Sequence, residues 1–286
     1  MLVEKYRPKT FSEVVGREDA IKLIKEKIAS PDGIPHLLMS GSAGLGKTSL
    51  AHVIANEIFG ENKADLFFEF NASKDRGVEF IRTQISDIAK RNPISGKYKI
   101  ILMDEADNIT SDAQACFRRI IEQYSTITRF IFCANYPYKL IDPIISRFVQ
   151  IEFHELDVKT IALQLKRIGT KEGMSLKDVE YIAIAKKSRG DMRRAINLLE
   201  GGNQENDDDK YWGGVTLESL VSMTKDERIM LAFKGDPEVI FSKLFDLIKN
   251  AREWKHLTAL ADCQSKMNLS VHKSVFLASF LEKLDK

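Results

Sequence analysis

Short apolar runs alternate with longer amphipathic ones along the first half of the chain. There are five such apolar runs, all but the last ending in a polar residue: His36–Ser40, Leu66–Asn71, Tyr98–Asp104, Arg129–Asn135 and Phe148–Phe153. A continuous apolar run marks a strand covered on both faces, as in a parallel sheet. Between the runs, Thr48–Phe59, Asp75–Arg91 and Ser111–Tyr124 repeat apolar residues at helical spacing. This alternation predicts a three-layer α/β domain with a parallel sheet, whose polar strand ends form a ligand-binding edge. After about residue 156 the pattern changes. Asp157–Gly173, Leu176–Ser188 and Asp191–Glu200 predict three consecutive helices, a compact lid. Gly201–Gly214 carries Asp207-Asp208-Asp209 among Gly and Asn and predicts a linker or surface loop. From Val215 the helical pattern returns, as at Pro237–Asn250 and Val271–Leu284. The expected division is therefore 1–156, 157–202 and 203–286, without internal repeats.

Composition narrows the classes. A net charge of +2 lacks the basic excess of a protein that coats DNA by itself. It leaves room for a ring of subunits whose aligned cations and helix N-termini follow phosphates. No apolar stretch reaches membrane-spanning length, and the opening Met1–Pro8 lacks a signal-peptide core, so no membrane partner is expected. Cys116, Cys133 and Cys263 are far apart and read as reduced thiols of an intracellular protein. The histidines form no local cluster that would suggest a metal or nucleophile site.

The candidate chemistry lies at the strand ends. Gly41-Ser42-Ala43-Gly44-Leu45-Gly46-Lys47-Thr48 follows the first apolar run directly and precedes a helix, with Ser49 next. Glycines there let the backbone approach closely, so that N–H groups and a helix N-terminus converge on a polyphosphate. Lys47 is expected on the β- and γ-phosphates of a nucleoside triphosphate, and the Thr48 hydroxyl in the shell of Mg²⁺. The third run ends in Asp104-Glu105-Ala106-Asp107. Asp104 is expected to hold the metal through water, and Glu105 to polarise the attacking water as general base. A binder that does not catalyse has no use for the second carboxylate, so Glu105 argues for hydrolysis.

Three further residues extend this site. Asn135 ends the fourth run, where its amide can reach the γ-phosphate and the attacking water, although turn chemistry also places Asn at strand ends. Arg147, in Ser146-Arg147-Phe148, suits either a surface turn or an arginine finger aimed at a neighbour's nucleotide, an effect of about 10³–10⁵ in rate. Asp191 is a natural helix N-cap, and Arg193 one turn inside can reach back over the phosphates.

Together with several other segments, these residues resemble the replication factor C small-subunit family, AAA+ sliding-clamp loaders, over about residues 1–200. The segments are Val3–Phe11, Val14-Val15-Gly16, Pro35–Leu38, Asn71-Ala72-Ser73-Lys74-Asp75-Arg76-Gly77, Asp112–Ala115 and Gly190-Asp191-Met192-Arg193. The resemblance implies an AAA+ α/β domain, a helical lid and a helical collar, with hydrolysis of ATP at subunit interfaces. It implies that Val3, Arg7 and Val15 line the adenine and ribose pocket, and that Asn135 and Arg193 sense the γ-phosphate. Arg147 would act in trans. Arg76 would couple DNA to Glu105, and Arg82 would touch a template phosphate. Ile120, Ile121 and Tyr124 would anchor a clamp, although the same helical spacing serves a core.

The implied partners are other clamp-loader subunits in a pentamer with a large subunit, a PCNA-type sliding clamp, and primer–template DNA. The implied compartment is the cytoplasm of a prokaryote or the nucleus of a eukaryote. Two departures stand out: Phe148 replaces the Cys usual in the family's finger motif, and Val215–Lys286 is shorter than the usual collar. Two alternatives stay open: another AAA+ DNA remodeler, and a scaffold subunit that binds ATP without cleaving it.

Overall fold

The computed structural model describes all residues except 76, 202–211, 213–214, 235–236, 252–253, 269–271 and 285–286. Two compact units result, Met1–Asn203 and Gln204–Lys286. Of the expected linker, only Gly201 and Trp212 fall among the described residues, and Arg76 falls outside them.

The first unit is built on strands β1 (Leu37–Ser40), β2 (Phe67–Asn71), β3 (Lys99–Asp104), β4 (Thr128–Ala134) and β5 (Val149–Glu152). They form one parallel sheet in the order β2-β3-β4-β1-β5. Each of the five apolar runs supplies one strand, because alternate residues face two separate cores. Leu38, Ile101, Met103, Phe130 and Phe132 pack into one core, and Leu37, Met39, Ile100, Leu102, Ile131 and Cys133 into the other.

Helix α1 (Glu18–Ile28) precedes the sheet and was not among the expected elements, although Ile21, Ile24 and Ile28 repeat at helical spacing and pack on the core. Helices α2 (Lys47–Phe59) and α3 (Ser111–Tyr124) lie where expected. The helix expected over Asp75–Arg91 runs instead through Val78–Phe80, Ile81–Ile85 and Ser86–Lys90, its middle stretch π-helical. At its C-terminal end, Lys99 Nζ donates to the carbonyls of Ala89 (3.3 Å) and Arg91. Burial depresses the Lys99 pKa to about 8.

Helices α4 (Val158–Lys171), α5 (Asp178–Ser188) and α6 (Met192–Glu200) form the lid around Leu165, Ile168, Ile184 and Leu199. Asp157 and Asp191 cap α4 and α6 with their carboxylates. Leu2 belongs to the same core, and Val3, Tyr6 and Val15 pack on it, so the N-terminal segment is fixed against the lid.

The second unit contains α7 (Leu217–Ser222), α8 (Lys225–Leu231), α9 (Pro237–Ala251), α10 (Trp254–Asn268) and α11 (Lys273–Glu282). Its separate core includes Trp212, Leu244, Leu260 and Leu281. No described helix is long and apolar enough to cross a membrane.

Candidate nucleotide site

Strand register assembles the site. Ser40 pairs with Ala134 across β1 and β4, and Asn71 pairs with Asp104 across β2 and β3. Gly41, Asn135 and Glu105 therefore leave the sheet along one edge, the C-terminal edge where parallel sheets bind ligands.

The glycine loop turns sharply there. Gly41, Gly44 and Gly46 have φ of 139°, 75° and 90°, values that L side chains rarely adopt. A Cβ on Gly44 would stand 2.0 Å from Asp191 Oδ1, so the loop and the cap of α6 leave no room for a side chain between them. At Gly46 a Cβ would meet nothing within 4 Å, so this side of the loop is open.

Lys47 begins α2 and is 7% exposed. Its Nζ donates to Gly41 O (2.6 Å), Ser42 O (2.8 Å) and Asn135 Oδ1 (2.9 Å). Burial lowers its pKa, with Arg193 adding to the effect, while Cys133, Asp104 and Asp107 oppose it. A desolvated ammonium bonded only to neutral oxygens gains strongly from a polyanion.

Beside it, Thr48 Oγ1 donates to Asp104 Oδ2 at 2.9 Å. A hydroxyl facing a carboxylate is an oxygen donor pair suited to Mg²⁺, which keeps several waters and needs few protein ligands. Among the described residues, no group of three or more His, Cys, Asp or Glu is arranged to hold a metal.

Glu105 occupies left-handed backbone space, φ 52°, a strained conformation for a non-glycine residue. Its carboxylate accepts from Asn71 Nδ2 (3.5 Å), Asn108 Nδ2 (3.3 Å) and the Ser73 hydroxyl. It is thus held on the β2 side of the edge, apart from Lys47.

A cavity of about 270 Å³ opens beside the loop. It brings together Val3, Arg7, Val15, Gly44, Leu45, Gly46, Ser49 and Arg193, all expected at a nucleotide. Its wall also includes Tyr6, Pro8, Met192 and Ile196. Met192 and Ile196 are spaced as one face of α6, a signal present in the sequence but equally that of a core.

Three positions in the first unit had no role assigned from the sequence, although Asp107 and Gln114 lie within motif segments. Arg17 donates to Leu45 O (3.4 Å) and His154 O (2.6 Å), clamping the loop to the segment after β5. Asp107 accepts from the Asn135 N–H at 3.0 Å and so orients that residue. Buried Gln114 donates to Ile109 O and Lys139 O, both at 3.0 Å, and accepts from Ile141 N at 2.8 Å.

The remaining expected residues lie elsewhere. Arg147 donates to Pro143 O and to the Glu122 carboxylate and lines no part of the cavity. Arg82 is exposed on the π-helical stretch. Ile120 and Ile121 require a correction: they are 5% and 1% exposed and pack with Phe117 and Phe130 in the core. Neither can anchor a partner from that position, since the apolar face of α3 is already covered by the sheet. Tyr124 is half-buried against the same core.

Comparison with known proteins agrees with this geometry. Residues 37–156 match the ATPase family associated with various cellular activities (AAA), and residues 164–201 match the RCF1/5-like AAA+ ATPase lid domain. Residues 6–66 also match the P-loop domain of the Holliday junction DNA helicase RuvB. The replication factor C small subunit of Aeropyrum pernix is 40% identical over 82% of this chain and 72% of its own length. The chain belongs to the replication factor C small-subunit family.

Two further small subunits agree. That of Staphylothermus marinus is 42% identical over 86% of this chain and 75% of its own length. That of Methanococcus maripaludis is 44% identical over 69% and 63%. The chain thus spans from 63% to 75% of the length of these replication factor C relatives. Among solved structures, the RuvB branch migration motor of Thermotoga maritima superposes with a TM-score of 0.58 at 22% identity, covering 68% of this chain and 64% of that one. This likeness reflects the shared fold. As a member of the family with an AAA domain, the chain is an AAA+ ATPase with a nucleotide-binding site.

Proposed function

We propose that this chain is a clamp-loader subunit that uses ATP binding and hydrolysis to open a ring-shaped sliding clamp and load it on primer–template DNA. Lys47 and the loop N–H groups hold the triphosphate, while Val3, Arg7 and Val15 receive the base and ribose. Thr48 and Asp104 hold Mg²⁺, which would neutralise phosphate charge. Asn135 and Arg193 report the γ-phosphate. Glu105 serves as general base once it leaves Ser73 and Asn108. Arg82 contacts a template phosphate.

The observation that carries the reading is the position of Arg147. Its guanidinium bonds to Glu122 and Pro143, away from the cavity that holds Arg193 and the loop. Lys47 and Arg193 are already at the site, but Arg147 of the same chain is held away from it, and a neighbouring subunit's Arg147 supplies the further cation where the transition state spreads its charge. Assembly with other subunits follows.

ATPase rates with and without a PCNA-type clamp and primed DNA test the proposal. Joint stimulation by both supports loading. Stimulation by DNA alone indicates a motor, and indifference to both indicates a scaffold. Arg147→Ala is expected to keep nucleotide affinity nearly intact and to abolish stimulated turnover. Loss of ATP binding in that variant would contradict action in trans.

A further inference from the structure

Arg147 is engaged within its own chain in a way that predicts how it is released. Its Nη2 donates to Glu122 Oε1 on α3, and its Nη1 donates to Pro143 O. The arginine and glutamate side chains remain 35% and 42% exposed. A second cation, Arg118, stands with its Nε 3.8 Å from the same Glu122 oxygen, one turn earlier on α3.

We infer that Glu122 is a positioning residue that stores Arg147 against its own subunit until a neighbour's triphosphate competes for it. The inference rests on the reading of Arg147 as a cation acting in trans. Its physical basis is a contest between two anions. An ion pair this exposed contributes about 0–1 kcal/mol, whereas a triphosphate presents several charged oxygens in a less hydrated cleft. The stored state is therefore stable enough to be populated and weak enough to yield. Arg118 lowers the cost of release, because Glu122 keeps a cationic neighbour after Arg147 departs. The Pro143 carbonyl returns to water at the exposed turn.

Storage makes deployment depend on assembly. A free subunit holds its arginine away from solvent anions, and a correctly docked neighbour withdraws it. Removing the Glu122 charge removes the competitor and leaves the docking surface otherwise intact.

The test uses the full-length chain and measures ATP turnover against protein concentration, with nucleotide affinity followed separately by a fluorescent ATP analogue. Glu122→Gln is expected to lower the concentration for half-maximal turnover by up to about fivefold, the equivalent of about 1 kcal/mol. Maximal turnover, nucleotide affinity and thermal unfolding should stay as in the wild type. In an Arg147→Ala background, where turnover is lost, the same Glu122→Gln change should leave subunit association, followed by sedimentation, unshifted. A half-maximal concentration that is unchanged or raised in Glu122→Gln, while Arg147→Ala remains defective, overturns storage and leaves trans action standing. A shift that persists without Arg147 also overturns it. Full turnover by Arg147→Ala defeats both readings.

Discussion

The Nζ of Lys47 and the Oδ1 of Asn135 stand 2.9 Å apart, joining the phosphate loop after β1 to the end of the adjacent strand β4. The contact gives a buried ammonium a third acceptor beside two backbone carbonyls. It also sets Asn135, whose own N–H is held by Asp107, at the edge of the site. Asn135 thereby links, through its side chain, the lysine of the loop that would grip a triphosphate and, through its backbone N–H, the short helical turn Ala106–Asn108 that carries Asp107.

Asn135→Ala is expected to reduce ATP turnover by about 10²-fold, the order found when one preorganised polar group is removed from a charged transition state. Nucleotide affinity should change far less, because Lys47 keeps the carbonyls of Gly41 and Ser42. Single-turnover hydrolysis together with equilibrium binding measures both quantities. Equal losses in the two would mean that Asn135 holds Lys47 and takes no part in turnover.

Phe148 stands where the family usually has Cys, and the structure accounts for the substitution. Its ring is 7% exposed, lies 4.7 Å from Phe132 and 5.4 Å from His36, and fills the core beneath the Arg147 turn. Phe148→Ala should therefore destabilise the fold by about 3–5 kcal/mol, the range for emptying an aromatic core site. Urea unfolding provides the number. A cost under about 1 kcal/mol would show that the ring is not part of the packed core.

His36 supplies a pH dependence. Burial, aided by the charge of Arg129, holds its pKa down at about 4, and its Nδ1 accepts the Phe130 N–H at 3.0 Å. The unfolded chain, with an ordinary histidine pKa near 6.5, binds this proton more readily than the native state. The stabilisation is complete above about pH 6.5 and is lost as pH falls toward about 4, by a total on the order of 3 kcal/mol. Urea midpoints for the wild type and His36→Gln across that window should diverge, with the wild type losing more stability on acidification. Parallel curves would remove His36 as the cause.

The sheet was readable in the sequence because its central strands β1, β3 and β4 are covered on both faces and appear as near-continuous apolar runs, whereas the edge strands β2 and β5 carry exposed Glu69 and Gln150. Lys99–Asp104 and Thr128–Ala134 coincide with their predicted runs to within a residue. Helix α1 was missed although Ile21, Ile24 and Ile28 recur at helical spacing and pack against the core. Helix α3 shows the opposite limit. Its period was right, but Ile120 and Ile121 face the sheet and not a partner, and spacing alone does not say which body covers an apolar stripe.

Local covalent structure determined what could be read from the chain itself: the glycines of a loop that must turn sharply, the lysine and threonine that follow it, and the carboxylates at a strand tip. These signals lie within a few residues of one another, so no fold is needed to see them. Strand register decided the rest. Pairing Ser40 with Ala134 and Asn71 with Asp104 set Asn135 beside Lys47 and Glu105 beside Asn71. The packing of α3 against the Arg147 turn likewise gave Glu122 its partner. Such contacts join residues far apart in the chain, and only the geometry of the folded sheet and its helices brings them within bonding distance.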